Sequence, residues 1–287
     1  RLMPMKKLKA YIELARIDKP IGIYLLLWPS LLGLFLAGLN SNISLKNISI
    51  VILGSLLVRS CGCVINDISD SKIDRLVQRT AGRPLATGAL NIFEAWIFFF
   101  VLGLLSICLL VLTNTLTIKI SIFFASLIVL YPLSKRFIPA PQFILGITFG
   151  SGSLIAYSLQ SNDFTVSIML LYTGIVAWII SFDTYYALED KEDDLKININ
   201  STAIMWGENA IKYARILHLF FYASLILIAI LNKFSYIFLL VIILLLLVFI
   251  YQKKLISESK FLDAFKINNL VGIIVVLGFI LEIILLK

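Results

Sequence analysis

Asn66-Asp67-Ile68-Ser69-Asp70-Ser71-Lys72-Ile73-Asp74 closes an apolar run at 47–65, and Asp183 with Glu189-Asp190-Lys191-Glu192-Asp193-Asp194 closes another at 165–186. Carboxylates are costly beside hydrocarbon unless they bind something, so both clusters read as functional. The Asp-x-x-x-Asp unit repeats at an offset of 120 residues, 70 to 190 and 74 to 194. An even number of intervening crossings returns a chain in the same direction, so this echo predicts a parallel repeat of spans one to four and five to eight.

Hydrophobic residues make up 60% of the 287, with a mean hydropathy of +0.98, more than a soluble core of this size can hide. Runs of about 17 to 25 apolar residues suffice to cross a bilayer core of ~30 Å. They fall near 20–39, 47–65, 92–112, 116–133, 142–159, 165–186, 211–231, 234–252 and 267–286. The expected fold is therefore all-α: a polytopic membrane protein, a nine-transmembrane-helix bundle forming one domain over 1–287. With the N-terminus inside, the inner segments carry 20 of the 25 Lys and Arg and the outer ones 4, Arg59 lying within the second span. That bias orients both acidic clusters towards the cytoplasm.

The net charge of +8 is spread along one membrane face, which fits lipid head groups and argues against nucleic acid. The first residues carry no cleavable signal pattern, so the first span is expected to be retained, and with no transit peptide before residue 1 a bacterial inner membrane is expected over a mitochondrial one. Cys61, Cys63 and Cys108 lie in apolar runs without metal-site spacing and read as buried free thiols. The one histidine, His218, falls in the seventh span away from both clusters and reads as structural. Oligomeric state is not legible in the sequence.

Residues four apart share a helix face, so Asn66, Asp70 and Asp74 should stack, with Arg59 near the same stripe and Asp67 turned about 100° away. Asp190 and Asp194 stack likewise, two turns beyond Asp183. Arg59 inside a span costs about 2.5 to 3.5 kcal/mol, so it should face a polar cavity. Carboxylates alone repel phosphate, but Mg²⁺ shares its oxygen ligands between one or two of them and substrate phosphates. The metal set is accordingly Asn66, Asp67, Asp70, Asp74, Asp190 and Asp194. Lys72, Arg75, Arg83, Lys135, Arg136 and Lys191 flank the clusters and suit the outer oxygens of a diphosphate; for these cations the competing explanation is the inner-face bias itself.

The stretch from Arg59 through Asn66-Asp67-x-x-Asp70-x-x-x-Asp74 to Arg83-Pro84 resembles the signature of UbiA-type intramembrane prenyltransferases. Phe182-Asp183-Thr184-Tyr185-Tyr186-Ala187-Leu188-Glu189-Asp190 through Asp194, closing with Ser201-Thr202-Ala203, is similar to the second signature of the branch acting on 4-hydroxybenzoate. Leu14-Ala15-Arg16-Ile17-Asp18-Lys19-Pro20-Ile21-Gly22 and Tyr131-Pro132-Leu133-Ser134-Lys135-Arg136 add to the likeness. The family places Gly and Lys where this chain has Asn198 and Asn200.

The resemblance implies a bundle around a central cavity open to the membrane, capped by cytoplasmic loops. It implies a Mg²⁺-dependent enzyme joining a polyprenyl diphosphate to 4-hydroxybenzoate, an early step towards ubiquinone. On that reading Asp183 and Asp190 join Arg136 as catalytic residues, with Asp183 taking the ring proton. Arg16, Lys19 and Arg59 bind substrate alongside the flanking cations, Arg59 or Arg136 holding the acceptor carboxylate. Tyr131, Tyr185, Tyr186 and Phe182 line a dry site where π faces stabilise a carbocation. Rivals are prenylation of naphthoate or haem and, in a different class, a cation-coupled transporter, which would place its ionisable residues at the bilayer midplane.

Overall fold

The computed structural model describes residues 4–72, 74–76, 80–196 and 198–286, without the side chains of 4, 76 and 130–136. A short helix, α1 (Pro4–Leu14), precedes α2 (Ile21–Gly38), α3 (Leu45–Asp70), α4 (Ile92–Val111), α5 (Thr115–Phe137), α6 (Pro141–Gln160) and α7 (Val166–Lys196). The four-residue α8 (Thr202–Met205) leads into α9 (Ala210–Leu231), α10 (Phe238–Ser257), α11 (Phe261–Lys266) and α12 (Asn268–Leu286). Each of the nine predicted runs falls on a long helix. Among the described residues, eight helical stretches are long and apolar enough to cross a membrane, and α5 contributes a shorter apolar segment, Thr115–Val129.

Local signals start several of these helices. The Ser44 hydroxyl accepts from Asn47 N to cap α3, and Asn91 with Glu94 forms a reciprocal capping box at α4. Pro141, which lacks an N–H, occupies the first position of α6.

Burial sorts the helices by position. In α2, 72% of the apolar window is buried, against 11% in α4, so α2 is central and α4 presents Phe93, Phe100, Leu104 and Ile107 to lipid. Cys108 lies on that outer face and is exposed, contrary to the expectation of burial; Cys63 is buried and Cys61 half-buried. His218 is buried against Tyr222 and Phe249 in the bundle.

Lipid tails are as apolar as leucine, so association in a bilayer relies on close backbone approach and interhelical hydrogen bonds. Trp178 Nε1 donates to Asn268 Oδ1 at 2.8 Å, joining α7 to α12. At the α2–α6 crossing Gly33 faces the Ser153 backbone so closely that an added Cβ would lie 2.0 Å from the Ser153 oxygen. Gly33→Ala should therefore force the helices apart and cost about 1–3 kcal/mol, the usual range for overpacking. Gly54→Ala, where a Cβ meets nothing within 4 Å, is the matched control. Thermal unfolding of the two variants in detergent checks this, and equal midpoints would contradict the tight crossing.

Two features of the acidic segments differ from expectation. Helix α3 ends at Asp70, and Asp74 begins a separate 3-10 turn, Asp74–Leu76, so it does not continue the Asn66–Asp70 stripe. The turn is held by Thr80 Oγ1, which donates to the Asp74 carbonyl at 2.9 Å. In the second cluster the whole acidic run stays helical, because α7 extends through Lys196 rather than ending near 186.

Candidate active site

A cavity of about 970 Å³ opens at the end of the bundle where α3 and α7 finish and α2 and α6 begin. Asn66, Asp67, Asp70 and Asp74 line one side, and Asp183, Asp190 and Asp194 line another. The two clusters thus face a shared vestibule. Deeper, the lining turns apolar through Ile21, Leu25, Leu145 and Phe149.

Of the predicted cations, Arg16, Lys19, Arg59 and Arg83 reach the cavity wall. Lys72 and Arg75 are exposed and Lys191 is half-buried, and none of the three is on that wall. The inner-face charge bias alone accounts for these three. Tyr131, Lys135 and Arg136 have side chains outside the described residues.

Arg59 sits on α3 with its guanidinium over the Phe149 ring, 5.4 Å from the centroid. Its Nε is buried without a hydrogen-bond partner among the described residues. Gly22 makes room for it, since a Cβ there would lie 2.7 Å from Arg59 Nη2. A buried donor left unpaired costs about 1–3 kcal/mol, so the position suits an incoming anion.

Asp67 was expected among the metal ligands, but its carboxylate accepts from Arg16 Nη2 at 2.8 Å on each oxygen and lies 3.1 Å from Arg83 Nη1. Arg83 Nη1 also donates to both Asp74 oxygens, at 3.0 and 2.9 Å. Burial opposes the charge on Arg83, but Asp67 and Asp74 outweigh it and hold the guanidinium above its ordinary value.

Sequence reasoning missed several parts of the wall. Phe265 packs edge-on against Phe182 and Tyr186, with centroids 5.7 and 5.1 Å apart, and brings α11 and Lys266 into the cavity. Gln142 lies on the wall and accepts from Thr202 N at 2.9 Å, fixing the segment that carries Asn200 and Ser201. Tyr185 is fully buried in a separate cluster with Ala214 and Leu255 instead of lining the site. Asn198 takes a positive φ of 58°, which explains why asparagine can stand where glycine is usual.

Among the described residues, no three acidic, cysteine or histidine side chains are grouped to hold a metal by themselves. The donors are oxygens spread over two banks of one cavity. That fits an ion completed by substrate oxygens better than a closed protein cage.

The fold and site define an integral membrane protein with a polar, acid-lined vestibule above an apolar chamber. The family model for the UbiA prenyltransferase family matches residues 26–270, and the chain belongs to that family. It is 39% identical over 286 residues to a 4-hydroxybenzoate octaprenyltransferase of Saccharophagus degradans, covering 97% of this chain and 95% of the relative. One of the same description from Vesicomyosocius okutanii is 38% identical, covering 93% of this chain and 99% of the relative. The apo structure of a UbiA homologue from Aeropyrum pernix K1 superposes with a TM-score of 0.80 at 25% identity, covering 91% of this chain and 97% of that one. A homologue from Archaeoglobus fulgidus bound to GPP and Mg²⁺ shares the fold, with a TM-score of 0.74 at 19% identity, covering 96% and 99%.

Proposed function

We propose that this chain transfers a polyprenyl group from polyprenyl diphosphate to the ring of 4-hydroxybenzoate, releasing diphosphate, in ubiquinone biosynthesis. The observation that carries the reading is the convergence of both acidic clusters on one cavity that becomes apolar with depth. A diphosphate belongs at the acidic, cation-flanked rim and its isoprenoid tail in the apolar part. Relatives over nearly the full length are named for this reaction.

Asn66, Asp70, Asp74, Asp190 and Asp194 would hold Mg²⁺, and Asp67, placed with them from the sequence, is instead occupied by arginine. Bound Mg²⁺ supplies charge neutralisation for the departing diphosphate. Lys19 and Arg83 sit where they can contact its outer oxygens. As the allylic C–O bond breaks, its electron pair leaves with diphosphate, and Phe182, Tyr186 and Phe149 present π faces that stabilise the positive carbon and exclude water. The ring carbon ortho to the phenol attacks, and Asp183 accepts the proton lost when aromaticity returns. Arg59 receives the acceptor carboxylate; Arg136 carries the same assignment from the sequence.

The inner-face bias of lysine and arginine supports an orientation with the N-terminus and the vestibule on the cytoplasmic side, in the bacterial inner membrane of the proposed reading. There the protein meets a lipid-borne donor and a soluble aromatic acid. The test is purified protein in detergent with Mg²⁺, a polyprenyl diphosphate and labelled 4-hydroxybenzoate. Prenylated acid and diphosphate should form in equal amounts, and chelation by EDTA should stop both. Absence of product, with Mg²⁺-independent solute flux in liposomes, would replace this reading with transport.

A further inference from the structure

Asp67 is 1% exposed and lies where three segments distant in sequence converge. Arg16 belongs to the turn before α2, Asp67 to α3, and Arg83 to the connection between α3 and α4. Arg16 stands at φ +58°, a left-handed conformation unfavourable for arginine, and also donates to the Glu13 carbonyl at 2.6 Å. Such strain persists only where its surroundings fix it, and here they fix the guanidinium on Asp67. Arg83 spans the Asp67 and Asp74 carboxylates, and Thr80 holds the Asp74 backbone.

A carboxylate already shared by two guanidinium groups is a poor Mg²⁺ ligand. Turning it to an ion would leave Arg16, among the described residues, with the Glu13 carbonyl alone in a partly buried wall, and losing one partner of a buried pair is strongly destabilising. Asp74 differs, since Arg83 stays tethered to Asp67 when it lets Asp74 go.

We propose that Asp67 is a positioning residue, not a metal ligand: it pins Arg16 and Arg83 so that the part of the connection at 80–91 is held against the cavity before substrate arrives. Arg83 is then the exchangeable partner of Asp74, released to diphosphate oxygens as Asp74 turns to the metal. The inference deepens the proposed function and rests on it only for this exchange; the tether itself exists without metal or substrate.

The test uses the full-length protein in detergent with Asp67→Asn, Asp67→Glu and Asp70→Asn. Amide hydrogen exchange over 80–91 is measured without divalent metal or diphosphate, and bound Mn²⁺ is counted by electron paramagnetic resonance with inorganic diphosphate present. Asp67→Asn should accelerate exchange by about tenfold or more, as expected when a buried ion pair loses a partner, and keep the Mn²⁺ count of the unaltered protein. Asp67→Glu should restore slow exchange. Asp70→Asn should do the reverse of Asp67→Asn, losing Mn²⁺ with exchange unchanged. Loss of Mn²⁺ from Asp67→Asn with unaltered exchange would make Asp67 a ligand and overturn the proposal. If Asp67→Asn does not fold, Arg83→Gln breaks the same tether from the loop side, and unchanged exchange in it overturns the proposal equally. If the unaltered protein binds no Mn²⁺, the metal reading fails while the exchange arm still decides the tether.

Discussion

Asp70→Asn is expected to lower kcat/KM by about 10³-fold, or about 4 kcal/mol of transition-state stabilisation, while leaving the protein folded. Asp70 closes α3 on the wall of the cavity that Asp190 and Asp194 also line. Replacing it by an isosteric amide keeps the shape of the wall and removes a negative charge. Metal affinity should fall with it, so the Mg²⁺ concentration for half-maximal rate should rise, and excess Mg²⁺ should recover part of the activity. Asp190→Asn should behave in the same way from the opposite bank. Full activity at ordinary Mg²⁺ in both variants would remove the acidic vestibule from the chemistry.

Arg59→Ala is expected to act on the aromatic acceptor. Truncating one partner of a desolvated charge pair costs about 2–5 kcal/mol, so KM for 4-hydroxybenzoate should rise by about 10²-fold or more. The Mg²⁺ requirement and the KM for the prenyl donor should stay as they were. Arg59→Lys should rescue only partly, because an ammonium cannot offer the planar fork that matches a carboxylate. An acceptor lacking the carboxylate should be used about equally by Arg59→Ala and the unaltered protein. If instead the donor KM moves and the acceptor KM does not, Arg59 serves the diphosphate.

Much of the scaffold was legible because hydropathy along the chain is a strong, local signal. Helices α2, α4 and α6 lie within a few residues of the apolar runs that predict them, and the acids cluster about the ends of the runs at 47–65 and 165–186. The ~100° offset of Asp67 from Asn66 was also visible in helical geometry, and it is the separation that gives Asp67 its own partners. Those partners were not visible. Arg16 and Asp67 are 51 residues apart, and the pairing depends on a left-handed turn that nothing in the spacing marks. The break after Asp70 was missed for a related reason: the i, i+4 pattern continues on paper, while Thr80 and Arg83 draw Asp74 away. Phe265 and Lys266 were overlooked because α11 is short and its stretch offers hydropathy but no motif.

Helix α7 is a single rod of 31 residues that begins among lipid-embedded helices and ends beyond them. At 1.5 Å of rise per residue, Asp183 and Asp190 are separated by about 10 Å along its axis, and Asp194 lies about 6 Å further out. On the proposed assignment, proton removal and leaving-group chemistry are mounted on one stiff ruler, whose graduations cannot slide relative to each other as a loop's would. A donor and acceptor pair whose reacting atoms do not match those fixed intervals would meet one station and miss the other.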